Sequence, residues 1–167
     1  KDVSMLGNIK RLVLDFSYNI EDITAISHIP YLSVRGCYKI KDFTGLGSQR
    51  YLNLTGSRYL TNNDLYRLAN IPILVISYCN EISDISMLRN DRLTARHCSN
   101  LTEAKLQHNF IKADFSYSSS LQRIVILNDI YALSILATAI DISSLIILGS
   151  VKYITTEFEY PNYLESA

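Results

Sequence analysis

One phrase returns about every twenty residues along this chain, and that period decides what the chain can fold into. An apolar-x-apolar element appears as Leu12-Val13-Leu14, Leu32-Ser33-Val34, Leu52-Asn53-Leu54, Leu74-Val75-Ile76 and Leu93-Thr94-Ala95, at spacings of twenty, twenty, twenty-two and nineteen residues. Three residues after each element stands a small side chain: Ser17, Cys37, Ser57, Cys79 or Cys98. Three further on comes an apolar one: Ile20, Ile40, Leu60, Ile82 or Leu101. An acidic and an apolar residue then follow as Asp22-Ile23, Asp42-Phe43 and Asp84-Ile85, with Glu103-Ala104 a weaker version. A unit this short encloses no core of its own. Each must bury its apolar side by stacking on its neighbours, as in a solenoid.

The columns predict local structure. Each apolar-x-apolar element reads as a strand of two or three residues, paired in parallel with the same segment of the next repeat about 4.8 Å away. The serine or cysteine column falls where the chain leaves the strand, a place for a small buried side chain that satisfies loop backbone groups. The acidic residue before Ile/Phe-Ser/Thr reads as the N-cap of a short helix or 3₁₀ turn on the return side. Pro30 and Pro72 stand two residues before Leu32 and Leu74, where a missing N–H at strand entry does little harm.

The period weakens after Leu106. A sixth strand is expected at Ile111-Lys112-Ala113, since the Asp114-Phe115-Ser116-Tyr117 that follows echoes Asp15 to Tyr18. Beyond it two registers compete. One puts strands at Tyr131–Leu133 and Val151–Tyr153, with Asp141-Ile142 in the place of Asp22-Ile23. The other uses Ile124–Ile126 and Leu145–Ile147, which have the better β-branched strand chemistry. At the start, KDVSML has the form of a return segment with no strand before it, so Lys1 reads as an internal position of a longer array. The closing TEFEYPNYLESA, acidic and aromatic, has lost the period.

The segments IKRLVLDFSYNI, PYLSVRGCYKI, QRYLNLTGSRYL and PILVISYCNEI resemble the leucine-rich repeat family, in its short variant with Ser or Cys at the asparagine place. The phrase DVSMLGNI is similar to repeats encoded by giant DNA viruses, some bacteria and amoebae. The resemblance runs from Asp2 to about Leu106. It implies an α/β solenoid: a single domain over 1–167, regular to about 106, with a curved parallel sheet of seven or eight short strands and short helices or 3₁₀ turns on the convex side. It also implies a non-catalytic module that binds proteins through its concave sheet. A component of a larger assembly such as a viral particle, or the recognition arm of a ubiquitin-ligase adaptor with an upstream F-box, are the alternatives. Self-association or assembly is also expected, within a cell or a virion.

Composition narrows the partners. Sixteen basic residues balance sixteen acidic ones, and no basic run offers to track phosphates, so nucleic acid is not an expected partner. The apolar stretch Tyr131–Gly149 is long enough to span a membrane, but it carries Asp141 and four Ser or Thr residues, and no span is expected.

Cys37, Cys79 and Cys98 lack the paired spacing of a metal site, and their column makes them small core residues; no metal and no cofactor is expected. His28, His97 and His108 occupy unrelated repeat positions and indicate no triad. Asn53-Leu54-Thr55 and Asn100-Leu101-Thr102 match a glycosylation pattern only by chance, because both leucines are core positions.

Two columns are candidates for contact. The first runs Asp15, Arg35, Thr55, Ser77, Arg96, Asp114, and lateral pairing predicts ion pairs of Asp15 with Arg35 and of Arg96 with Asp114. The next runs Phe16, Gly36, Gly56, Tyr78, His97, Phe115: exposed aromatics with a shallow gap at two glycines. Phe16, Tyr78, His97 and Phe115, with Arg35, Arg96, Asp15 and Asp114, are the expected partner-binding residues.

Overall fold

The computed structural model describes residues 9–156. The KDVSML segment and the acidic tail after Thr156 lie outside them.

The described chain is a parallel-strand β-solenoid. Its main sheet has eight strands in the order β1 (Arg11–Val13), β2 (Tyr31–Ser33), β3 (Tyr51–Asn53), β4 (Ile73–Val75), β5 (Arg92–Thr94), β7 (Phe110–Asp114), β9 (Ile130–Ser134) and β11 (Val151–Thr155). All pair in parallel. The register stacks Leu12, Leu32, Leu52, Leu74, Leu93, Ala113 and Leu133 in one column, and all but Leu12 are fully buried.

Alternation explains the strands. In Tyr51–Asn53 the middle leucine is buried while both neighbours are only half-buried, as the two-residue period requires.

The return side differs along the array. In the early coils it is a loop, a 3₁₀ turn at Thr24–Ile26 or the helix α1 (Asn62–Leu68). Asp22 and Asp42 start the return as expected: each carboxylate accepts the N–H two residues on, from Thr24 and Thr44, at 2.8 Å. Ile23, Ile26 and Ile29 then point inward at the three-residue period of a 3₁₀ path. Helix α1 fills the coil with the longest spacing. Thr61 caps it by donating its backbone N–H to Asp64 Oδ2 at 2.9 Å, and Leu65 and Leu68 seat it on the core.

From Glu103 onward the return becomes a second parallel sheet, β6 (Glu103–Leu106), β8 (Arg123–Ile126) and β10 (Leu145–Ile147), in the order β10-β8-β6. This corrects two sequence expectations. Glu103-Ala104 opens a strand instead of capping a turn, and the parallel strands form two sheets, not one. The two competing registers after residue 110 are therefore both occupied: Ile124–Ile126 and Leu145–Ile147 lie in the second sheet, Tyr131–Leu133 and Val151–Tyr153 in the first. The physical reason lies in the side chains. Glu103-Ala104-Lys105-Leu106 alternates exposed and buried, and it lacks the Asp-x-Ser/Thr unit that turns the earlier returns. Asp141 keeps that unit, accepting from the Ser143 N–H at 3.1 Å ahead of a 3₁₀ turn at Ile142–Ser144.

The small-residue column performs the predicted service. Cys37, Cys79 and Cys98 point their thiols at the carbonyls of Leu14, Leu54 and Ile76, at 3.2, 3.3 and 3.4 Å, and Ser118 does the same to Ala95 at 3.1 Å. No helix among the described residues is long and apolar enough to cross a membrane.

Candidate functional site

Each of the first seven strands of the main sheet ends in a tight turn, and the third residue beyond the strand has a positive φ. The series is Phe16 (58°), Gly36 (70°), Gly56 (79°), Tyr78 (57°), His97 (54°), Tyr117 (64°) and Ala137 (49°). Glycine is the ordinary occupant of such a position, since a side chain there costs about 1–2 kcal/mol. Gly36 and Gly56 obey that rule. Four neighbouring positions instead carry a ring.

What keeps the turns in this shape is the ladder of backbone bonds between coils. Phe16 N–H donates to the Arg35 carbonyl (2.7 Å), Gly36 to Thr55 (2.8 Å), Gly56 to Ser77 (2.8 Å), Tyr78 to Arg96 (2.8 Å) and Tyr117 to Leu136 (2.7 Å). The rings add stacking. Tyr78 lies 4.3 Å from His97 at 13°, and His97 lies 4.8 Å from Tyr117 at 4°, so the three form one continuous stack with the solenoid's own repeat. Burial and the adjacent Arg96 guanidinium hold the His97 imidazole below its ordinary pKa of 6.5.

At the two glycines the stack is interrupted. A groove of about 320 Å³ opens there, lined by Phe16, Arg35, Gly36, Tyr38, Thr55, Gly56, Arg58, Tyr78 and Asn80. Phe16 leans over Gly36: a Cβ on Gly36 would stand 2.7 Å from the Phe16 ring. Tyr38 stacks on Tyr18 at 5.7 Å and closes the side of the groove. Both arginines rest on rings, Arg35 at 5.2 Å from the Phe16 centroid and Arg58 at 4.7 Å from that of Tyr38. Phe16 is 47% exposed and Tyr78 50%, so the groove's two aromatic ends face solvent.

The structure thus brings together Phe16, Arg35 and Tyr78 around the predicted gap, with His97 and Arg96 beside it. They lie on the turns beyond the strand ends and not on the sheet face. Two other expected residues are elsewhere. Phe115 is fully buried, because the register sets Ala113 opposite Leu93 and Asp114 opposite Thr94, which puts Phe115 level with the buried Ala95 and Tyr117 level with His97. The exposed column continues through Tyr117. Asp114 is 1% exposed and holds Arg96 from within the fold.

Asp15 makes no ion pair with Arg35: it accepts from Ser33 Oγ at 2.5 Å and from the Arg35 backbone N–H at 3.1 Å, which leaves the guanidinium on Phe16. Tyr38 and Arg58 were missed by the sequence reading. Both stand one residue after the Cys/Ser column, and with Tyr18 they form a second ladder that the spacing alone contains.

The cysteines stay apart from this surface. Burial pushes the Cys79 thiol up to about 12 and that of Cys98 to about 11, so neither is a thiolate near neutral pH. Among the described residues no cluster of His, Cys, Asp and Glu is arranged to hold a metal ion. No protein-family model matches the chain, and neither a curated protein nor a solved structure matches it significantly.

Proposed function

We propose that this chain is a leucine-rich-type repeat array acting as a non-catalytic protein-binding module, whose partner engages the broken aromatic ridge. One observation carries the reading: Phe16 and Tyr78 keep exposed rings in a backbone conformation that favours glycine, on either side of two glycines that open a groove. Backbone strain retained at an exposed surface is a reason to look for function there. Aromatic anchors flanked by arginine are the composition of contact hot spots. The chemistry of the ridge is stacking and positive charge, which serves recognition.

The experiment is a selection from a displayed random-peptide library against the wild-type chain and against Phe16→Ala/Tyr78→Ala. The reading expects sequences that enrich on the wild type and lose binding to the double variant, with unchanged melting. Enriched peptides that bind both proteins equally would overturn it. Arg96 is not used as a test position, because its partner Asp114 is buried and its removal would perturb the fold.

A further inference from the structure

The aromatic stack lacks one rung. Running down the turns, Tyr117, His97 and Tyr78 occupy successive coils at ring separations of 4.8 and 4.3 Å. One face of Tyr78 is covered by His97, and the other looks into the groove at the level of Gly56. The level beyond, at Gly36, is already covered by the ring of Phe16. The open rung at Gly56 therefore has Tyr78 as its floor and the Tyr38 ring as its side wall, which a Cβ on Gly56 would meet at 3.1 Å.

The rim of this slot is positive. Arg35 and Arg58 line the groove, no Asp or Glu does, and among the described residues neither arginine makes an ion pair. A guanidinium held over a ring still has N–H donors to offer a carboxylate. Phosphate is less well served. The N–H groups of Gly36 and Gly56, which would otherwise cradle an anion, are spent on the carbonyls of Thr55 and Ser77.

We propose that the Gly56 rung receives an aromatic side chain from an acidic peptide segment of a partner protein, its ring stacking on Tyr78 and its flanking carboxylates meeting Arg58 and Arg35. This deepens the protein-binding reading and rests on it. The occupant is planar because the slot continues a stack of planar groups. It is acidic because the only charges on the groove are positive.

The chain contains no tryptophan, so a tryptophan in a peptide probe reports its own insertion without background. The probe is Ac-Glu-Asp-Trp-Asp-Glu-NH₂, with Leu in place of Trp as control, the control being read by competition. The full chain is titrated against the probe and its tryptophan emission followed. The expected result is saturable quenching, with the Leu peptide weaker by roughly fivefold to tenfold, the scale of one aromatic contact.

Gly56→Tyr fills the rung with the chain's own ring, in the left-handed conformation that Tyr78 already adopts one coil on and with a small shift of the Tyr38 ring, 3.1 Å from the new Cβ, and is expected to abolish probe binding. Arg58→Gln keeps the slot and removes one positive charge. It is expected to weaken the acidic probe while leaving Ac-Gln-Asn-Trp-Asn-Gln-NH₂ unchanged, and it stands in if the tyrosine variant fails to fold.

Absence of probe binding to the wild type overturns the proposal. If library-selected peptides of other composition still depend on Phe16 and Tyr78, the protein-binding reading survives that failure; if none does, both fall. Adenosine monophosphate binding that Gly56→Tyr blocks, without peptide binding, would make the slot a nucleotide site instead and also overturn it.

Discussion

Arg96 reaches Asp114 with two nitrogens, Nε at 2.8 Å and Nη2 at 2.5 Å, both on Oδ2, although the strand register sets Asp114 opposite Thr94. The pair is diagonal. Asp114 sits inside the fold, its other oxygen accepting the Ser116 N–H at 3.0 Å, while the arginine side chain is 41% exposed. Removing Arg96 leaves a carboxylate in the interior with part of its compensation gone. Breaking a fully buried pair in this way costs about 3–5 kcal/mol, and the exposure of Arg96 brings the expected loss for Arg96→Ala to about 2 kcal/mol. Asp114→Asn, which keeps the shape and lowers the charge cost, is expected to lose less. Urea unfolding midpoints for the two variants test this ordering.

The cysteine column predicts chemical inertness and one stabilising change. Cys37, Cys79 and Cys98 are buried free thiols, and the pKa of each is raised by burial above the ordinary 9. A thiol reagent at mildly alkaline pH is expected to label the native chain no faster than it opens, and all three thiols promptly once urea unfolds it. Ser57 stands in the same column, 2% exposed, and its hydroxyl finds no partner among the described residues. An unpaired buried hydroxyl costs about 1–3 kcal/mol. Ser57→Cys puts there the group its neighbours already use, and a gain of about 1 kcal/mol in unfolding free energy is expected.

His97 makes stability depend on pH in a stated direction. Its folded pKa lies below the ordinary 6.5, by burial first and by Arg96 second. Between those two values the unfolded chain binds a proton that the folded chain refuses, so stability rises with pH across that window and is lost as pH falls through it. His97→Phe keeps a ring in the stack and removes the proton. Its melting temperature is expected to fall less than that of the wild type as pH is lowered from neutral toward 5; parallel curves would show that His97 does not set the slope.

Left-handed turns make a further prediction at Ala137, which is exposed, carries φ 49° and has no ring to stack. Ala137→Gly relieves the backbone at no loss of contact, and a gain of about 1 kcal/mol is expected, read as a raised melting temperature. Gly36→Ala runs the other way, because its new Cβ would meet Phe16 at 2.7 Å.

The inner columns were legible in the sequence because each depends on one side chain per coil. Leu32, Leu52, Leu74 and Leu93 had to face inward, and Cys79 and Cys98 had to be small where the chain turns. The second sheet was hidden for a physical reason. An alternating segment such as Glu103–Leu106 is told from a capped return only by whether a short acid and a Ser or Thr follow in turn-forming order, and Glu103 occupies the acidic place without that turn chemistry. Extending the column by copying Asp15-Phe16 onto Asp114-Phe115 went wrong by two residues. The register pairs Ala113 with Leu93 and Asp114 with Thr94, so Asp114 and Phe115 fall in the interior and Tyr117 on the turn. The gap itself was visible as Gly36 and Gly56 between rings, but its charged rim was not, because Tyr38 and Arg58 belong to a neighbouring column that had been given no role.

The proposed protein partner seats at the two glycines of the ridge. Amide spectra of the ¹⁵N-labelled chain, with and without a peptide selected on it, test this most directly, because glycine amides resonate in a sparse region and Gly36, Gly56, Gly45 and Gly149 sample different parts of the solenoid. Shifts at Gly36 and Gly56 that saturate with peptide are expected, while Gly45 on the return side and Gly149 after β10 stay in place. Saturable shifts at Gly45 or Gly149 with Gly36 and Gly56 unmoved would contradict this seating.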